Sequence, residues 1–312
     1  MARRRTKKRR SRKSSDKRII YVTIAVIVFS AVLLALLYSG KLDDLLGIRP
    51  FKEPAAPDAD TSVRFIDVGQ GDCTLAVSQG VSILIDSGES SEARTVIKYI
   101  DRLGIKKLDY VIVTHPHSDH MGAMADIIDR FGAGEFIMPI LPDDLTPTTA
   151  SYEKLLDTLD KKDIKITPAR DMKFDAGGFR VELYNPDEYD ENLNNCSTVI
   201  RLRHGENSFL ITGDCEKEEE DRLILKGCDL RADVLKAGHH GSATSSSAEF
   251  LAAVRPVYAV ISCSEDNSYG HPAESTLKRL KAIAREVLIT KDSGNIVFVS
   301  DGKGLSVYKD KD

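Results

Sequence analysis

The seven residues from Thr114 to His120, T-H-P-H-S-D-H, constrain what this chain can fold into more than any other stretch. The apolar run Tyr110-Val111-Ile112-Val113 precedes them and reads as a short buried strand. Met121-Gly122-Ala123-Met124-Ala125 follows and reads as the start of a helix. Pro116 cannot continue either element smoothly, so the imidazoles belong on a loop at a strand's end. Three of the chain's seven histidines fall within six residues here. Neutral imidazole and carboxylate are the usual ligands of zinc and manganese. In this spacing His115 and His117 can point at one ion while Asp119 and His120 turn toward a second. The pattern is too dense for a merely polar loop, and it predicts a site for one or two divalent metal ions, Zn2+ or Mn2+.

Charge divides the chain unevenly. The first 18 residues hold 11 Lys or Arg and one acid, a net of +10, and the other 294 residues carry a net of −14. Residues 19–38 are uncharged and rich in Ile, Val, Leu and Ala. At ~1.5 Å per residue such a helix spans about 30 Å of hydrocarbon. A buried core helix would spare one polar face, and none is spared here. A cleaved signal peptide shares the basic-then-apolar order, but the run is longer than a usual apolar region and no clear A-x-A site follows. The sequence therefore predicts one transmembrane signal anchor. The basic tail 1–18 is then cytoplasmic, against anionic headgroups, and everything after Tyr38 lies outside. Residues 39–60, with Pro50, Pro54 and Pro57, read as a stiff linker, and the domain is expected over 61–312.

Within that domain, Val63 to Val68 reads as a strand followed by Gly69-Gln70-Gly71-Asp72. Cys73 to Ser78 and Val81 to Ile85 form a predicted hairpin about Gln79-Gly80, and the second strand ends in Asp86-Ser87-Gly88. Asp67 and Asp86 thus end strands at one sheet edge, although a turn-capping role is common for such aspartates. The order F-I-D-V-G-Q-G-D, L-I-D-S-G, T-H-P-H-S-D-H resembles the metallo-β-lactamase superfamily of hydrolases, and within it the hydrolase domain of ComEC-type DNA-uptake proteins. The resemblance covers about residues 63–300. The chain departs from those competence channels in having one expected span and no channel region.

The resemblance implies an α+β fold, a metallo-β-lactamase αββα four-layer sandwich, where element order alone also allows a doubly wound sheet. It assigns Asp214, in Thr212-Gly213-Asp214, as the carboxylate bridging two metals. It assigns His239 in Gly238-His239-His240-Gly241-Ser242 as a ligand, with His240 as the alternate or a supporting, catalytic group. His271, in Tyr269-Gly270-His271-Pro272, matches a recurrent family motif, as a substrate-facing residue or a simple turn residue. Asp67, Asp72, Asp86, Asn195, Lys236 and Ser242 complete the expected substrate-facing or supporting set. One superfamily histidine is missing: Asn194-Asn195-Cys196-Ser197 stands where it would fall, making the first site richer in oxygen. His204 reads as a solvated turn residue. The five cysteines are odd in number and scattered, so they predict buried structural thiols rather than a disulfide framework.

A two-metal site lowers the pKa of a shared water to about 7 and suits phosphodiester, phosphomonoester and acyl bonds alike. The reaction class is therefore hydrolysis, with Asp119 orienting the water or taking its proton. DNA is the expected substrate, through the resemblance, with DNA-uptake machinery as a partner. Cell-envelope phosphoesters such as choline phosphate, or a non-catalytic binding module of the same fold, are the alternatives. A domain with net charge −14 lacks the broad basic surface typical of DNA binding. The metals, with Lys236 and Arg201, are expected to offset that deficit.

Overall fold

The computed structural model describes residues 59–189 and 191–311, together with residues 21, 23, 26, 28–30 and 32. Most of the expected anchor at 19–38, the basic tail and the linker lie outside the described residues. Among those described, no helix is long and apolar enough to cross a membrane.

Fifteen strands are described: β1 (Thr61–Phe65), β2 (Thr74–Ser78), β3 (Val81–Ile85), β4 (Leu108–Ile112), β5 (Ala133–Met138), β6 (Ile166–Pro168), β7 (Met172–Ala176), β8 (Phe179–Tyr184), β9 (Val199–His204), β10 (Asn207–Ile211), β11 (Val234–Lys236), β12 (Tyr258–Ile261), β13 (Glu286–Ile289), β14 (Ile296–Ser300) and β15 (Leu305–Lys309). They form an eight-stranded sheet, β15-β14-β1-β2-β3-β4-β5-β6, and a seven-stranded sheet, β13-β12-β11-β10-β9-β8-β7. The sequence order of a metallo-β-lactamase sandwich is thus realised, and the doubly wound alternative is set aside.

Strand alternation builds the core. Phe209 and Ile211 of β10 point between the sheets, where they join Val63 and Phe65 of β1, Ile83 and Ile85 of β3, and Phe298 of β14. Leu210, between them, points outward and packs with Leu235, Phe250, Val254 and Leu280 beneath the helices Ala248–Val254 and Glu274–Ile283. The rings of Phe65 and Phe209 each meet Phe298 edge-on, at 6.0 and 6.1 Å. On the other sheet, the helix Ala93–Arg102 buries Val96, Tyr99 and Ile100, an i, i+3, i+4 stripe. The expected hairpin at Gln79-Gly80 forms, both residues having left-handed φ (50° and 76°) as a tight two-residue turn requires.

The helix Ala248–Val254 starts where it does because Ser247 Oγ accepts from Phe250 N at 3.2 Å and caps it there. His204 departs from expectation, being partly buried rather than free in solvent. Its Nδ1 lies 2.8 Å from Ser300 Oγ and its ring packs edge-on to Phe179, because the hairpin it ends folds against the other sheet. Cys73, Cys196, Cys215 and Cys263 are buried free thiols and Cys228 is partly buried, as expected.

Candidate metal centre

Chain direction puts the loops after β1, β3, β4, β10, β11 and β12 at one edge of the sandwich. β3 and β4 run parallel, as do β10, β11 and β12. Each loop delivers polar side chains. The loop after β4 carries His115 and His117 and then enters the short helix Ser118–Met121, whose first residues include Asp119 and His120. Close backbone approach locks these loops. Gly71 (φ 149°) lies against the Asp119 carbonyl, so any side chain there would clash, and Asp72 N donates to that same carbonyl at 3.1 Å.

Two groups of donors converge. In the first, His115 Nε2 lies 3.0 Å from His117 Nδ1 and 3.9 Å from Asp214 Oδ2. In the second, His120 Nε2 lies 3.1 Å from Asp214 Oδ1 and 4.0 Å from Asp119 Oδ2. His240 Nε2 completes it, 3.1 Å from Asp119 Oδ2 and 3.5 Å from Asp214 Oδ1. Asp214 therefore turns one oxygen toward each group. Ligands held ~2.0–2.2 Å from a tetrahedral ion stand about 3.3–3.6 Å apart, and the second group brackets those edges.

Two buried atoms make the fit specific. His120 Nε2 and Asp214 Oδ1 are fully enclosed, yet neither makes a hydrogen bond within the protein. At 3.1 Å they are close but not aimed at one another, as two ligands of one ion would be. His239 stands beside this second group, on the side of the Asp214 oxygen that faces the first. Its Nδ1 is engaged by Glu216 Oε1 at 3.0 Å, and its Nε2 is 3.8 Å from Asp214 Oδ2. The sequence placed His239 in the ligand set with His240 as alternate; the structure gathers His240. Both residues have left-handed φ (48° and 52°), a strained backbone that turns successive rings to different neighbours.

Electrostatics suit the groups to a cation. Burial pushes the imidazoles of His115 and His117 below the ordinary range, so both are neutral, the ligating form. Burial alone would raise Asp119 and Asp214, but facing imidazoles, His120 foremost, hold both carboxylates ionised. Burial likewise opposes charge on His240, yet Asp214, Asp119 and Asp72 push it up to about 10. Positive charge is thus favoured at the centre of the group.

Behind the donors lies a layer that orients them. Asp86 Oδ2 takes His120 Nδ1 at 2.9 Å and Thr114 Oγ1 at 2.8 Å, while its Oδ1 takes Thr114 N at 2.8 Å. His115 Nδ1 meets Thr114 Oγ1 and Ser197 Oγ at 3.2 and 3.3 Å, and Ser197 Oγ accepts from Asp214 N at 3.0 Å. The serine of Asn194-Asn195-Cys196-Ser197 therefore supports the first group from behind. Asn195 Oδ1 holds Glu216 N at 3.0 Å, fixing the acid that orients His239.

Other expected residues fall elsewhere. Lys236 is buried against Asp72 at 2.7 Å, and Arg201 is buried against Glu182 and Asp229. Neither can meet DNA, because each already neutralises an acid inside the domain. Asp67 caps its own loop, with Oδ1 accepting from Gly69 N at 3.1 Å. Ser242 turns to Thr244 Oγ1 at 2.9 Å. Sequence reasoning missed Glu216 and Gln70, which line or brace the site; an acid two residues after Asp214 was the available signal for the first.

These donors open into a cavity of about 430 Å3, whose walls include Pro116, Pro147, Leu193 and Tyr269. A two-sheet sandwich with a His/Asp centre at one edge defines a known class of fold. Residues 66–265 match the metallo-beta-lactamase superfamily, and the chain belongs to it. More particularly, it is similar to ComE operon protein 3 of Bacillus subtilis, at 30% identity over 77% of this chain and 33% of that one. It is similar also to competence protein ComA of Neisseria gonorrhoeae (30% identity, 92% of this chain, 40% of that one). Recombination protein 2 of Haemophilus influenzae matches at 32% identity over 79% of this chain and 29% of that one. The chain thus spans well under half the length of these relatives. Among solved structures, the Bacillus subtilis protein YhfI shares the fold, with a TM-score of 0.51 at 14% identity over 76% of this chain and all of that one.

Proposed function

We propose that this protein is a membrane-anchored, extracytoplasmic, metal-dependent nuclease that hydrolyses DNA phosphodiester bonds. The observation that carries hydrolysis is the shared carboxylate: Asp214 serves two donor groups at the floor of an open cavity. His115, His117 and Asp214 would hold one divalent ion, and Asp119, His120, Asp214 and His240 a second. When bound, such ions supply Lewis acidity for displacement at phosphorus. Asp119 reaches the cavity with a quarter of its side chain exposed. With Oδ2 turned toward the donor group shared with His240, its Oδ1 would be the oxygen left to accept the proton of the attacking water. Pro116, Pro147 and Leu193 give the cavity apolar walls beside the donors.

DNA as substrate is supported by the competence and recombination names of the relatives, and the anchor by the uncharged residues 19–38. The test of substrate uses the full-length chain with linear single- and double-stranded DNA, in manganese, zinc or chelator. Metal-dependent loss of DNA is expected. Intact DNA under every metal, with cleavage of a phosphomonoester or choline phosphate, would transfer the site to envelope phosphoesters. For topology, protease added to intact cells should digest the domain; protection until lysis would place it inside.

A further inference from the structure

The cavity has an unusual charge balance for a nucleic-acid site. No Lys or Arg is among the described residues that line it, and Lys236 and Arg201 are buried elsewhere. Lysine and arginine contacts with backbone phosphates, the ordinary source of DNA affinity, are therefore absent from its described walls. A different grip is present. Tyr269 lines the cavity with 71% of its surface exposed, so its ring contributes little to the core. That ring is stacked on His271, with centroids 5.7 Å apart and planes inclined by 24°. His271 is in turn nearly parallel to His240, at 6.4 Å and 25°. Three rings thus form a column from the surface to the donor group, and its outermost ring is open.

The column is held stiffly. Asn267 donates to the carbonyls of Ser264 and His271 at 2.8 and 2.7 Å, and accepts from His271 N at 2.8 Å. Ala273 N reaches back to Gly241 O at 2.9 Å, joining this loop to the one that carries His239 and His240. His271 Nδ1 is buried without a hydrogen-bond partner, so ring packing and its backbone hold the imidazole in place. An exposed aromatic ring stacked on a braced imidazole beside a hydrolytic centre is suited to stacking an unpaired base.

From this we infer that Tyr269, braced by His271, is the platform on which one nucleobase of the substrate stacks while its phosphate reaches the donor groups. The inference rests on the nuclease reading and adds to it the means of binding. A base paired in a duplex cannot lie on the ring, so the cleft accepts an unpaired nucleotide, in a single strand or at a frayed end.

The test uses the full-length chain with Tyr269→Ala and Tyr269→Phe. Base stacking on an aromatic ring is worth about 1–3 kcal/mol, so Y269A should raise KM for single-stranded DNA by roughly 5- to 150-fold. Y269F, which keeps the ring, should restore it to within about twofold of wild type. A single abasic nucleotide is then moved stepwise along the strand. At one position it should reproduce the Y269A loss in the wild-type protein, and Y269A should lose nothing further there. In chelator, where cleavage is silent, an oligonucleotide carrying fluorescent 2-aminopurine at that position should be quenched by wild type and not by Y269A. An unchanged KM in Y269A, or a loss that adds in full to the abasic loss, overturns the platform while wild-type cleavage leaves the nuclease reading standing. Wild-type protein that neither cleaves nor binds nucleic acid overturns both.

Discussion

Asp86 and His120 are joined by a 2.9 Å contact that lies wholly inside the protein, between Oδ2 and Nδ1. It fixes which nitrogen of His120 is left to face Asp214, and so the tautomer that can ligate. Asp86→Asn should keep the left-handed turn at this position (φ 57°), which Asn tolerates. It should nonetheless weaken metal binding by roughly 10- to 100-fold, read by competition with a chromophoric chelator. An affinity equal to wild type would remove Asp86 from the site.

His239 and His240 are adjacent in sequence and should behave differently. His240→Ala removes one of four convergent donors and should lower bound metal in the purified protein by about one ion per chain. His239→Ala removes a ring held by Glu216 beside the group and should leave the metal content unchanged. Elemental analysis of the two variants decides, and the opposite result would restore His239 as the ligand.

Lys236 should matter for folding. It is almost fully buried, and its Nζ makes a 2.7 Å ion pair with Asp72. Lys236→Met leaves that carboxylate enclosed without its cation and should cost about 3–5 kcal/mol of stability, measured by urea unfolding. A variant of unchanged stability with weaker DNA binding would show that the lysine serves the substrate instead.

Glu219 provides a pH-dependent test away from the site. Burial pushes its carboxyl up to about 7, against a partial offset from Arg222 at 3.1 Å. A raised acid pKa favours the folded state only while the group is protonated. Its contribution is therefore full below about 4.5 and is lost as pH rises through about 7. Glu219→Gln should raise stability by about 1–2 kcal/mol at pH 8 and change it little near pH 4. An equal effect at both pH values would mean that Glu219 ionises normally.

The residues legible in sequence were those whose spacing was local. T-H-P-H-S-D-H put four donors on seven consecutive positions, and the apolar runs before it and before Asp214 fixed their strands. Elements with weak or broken patterns escaped. The strand Met172–Ala176 escaped although Met172, Phe174 and Ala176 alternate with exposed Lys173 and Asp175, because the pattern runs for only five residues at a sheet edge. The helix Lys217–Leu225 opens on a run of acids that are themselves partly buried, Glu219 and Glu220, and so shows no apolar stripe. Which of His239 and His240 turns toward Asp119 depends on backbone handedness at two positions, which side-chain identity does not encode. The fate of Lys236 depended on Asp72, a partner far away in sequence and brought close only by the two sheets.

The donors are divided between those sheets. His115, His117, Asp119 and His120 follow a strand of one, and Asp214 and His240 follow strands of the other. Neither half owns a complete coordination sphere, so an ion captured by this protein is also a rivet between the two sheets at the edge that carries the donors. A full set of donors therefore exists only where both leaves have closed. Chelation should accordingly do more than silence chemistry: it should lower the temperature at which the two leaves come apart.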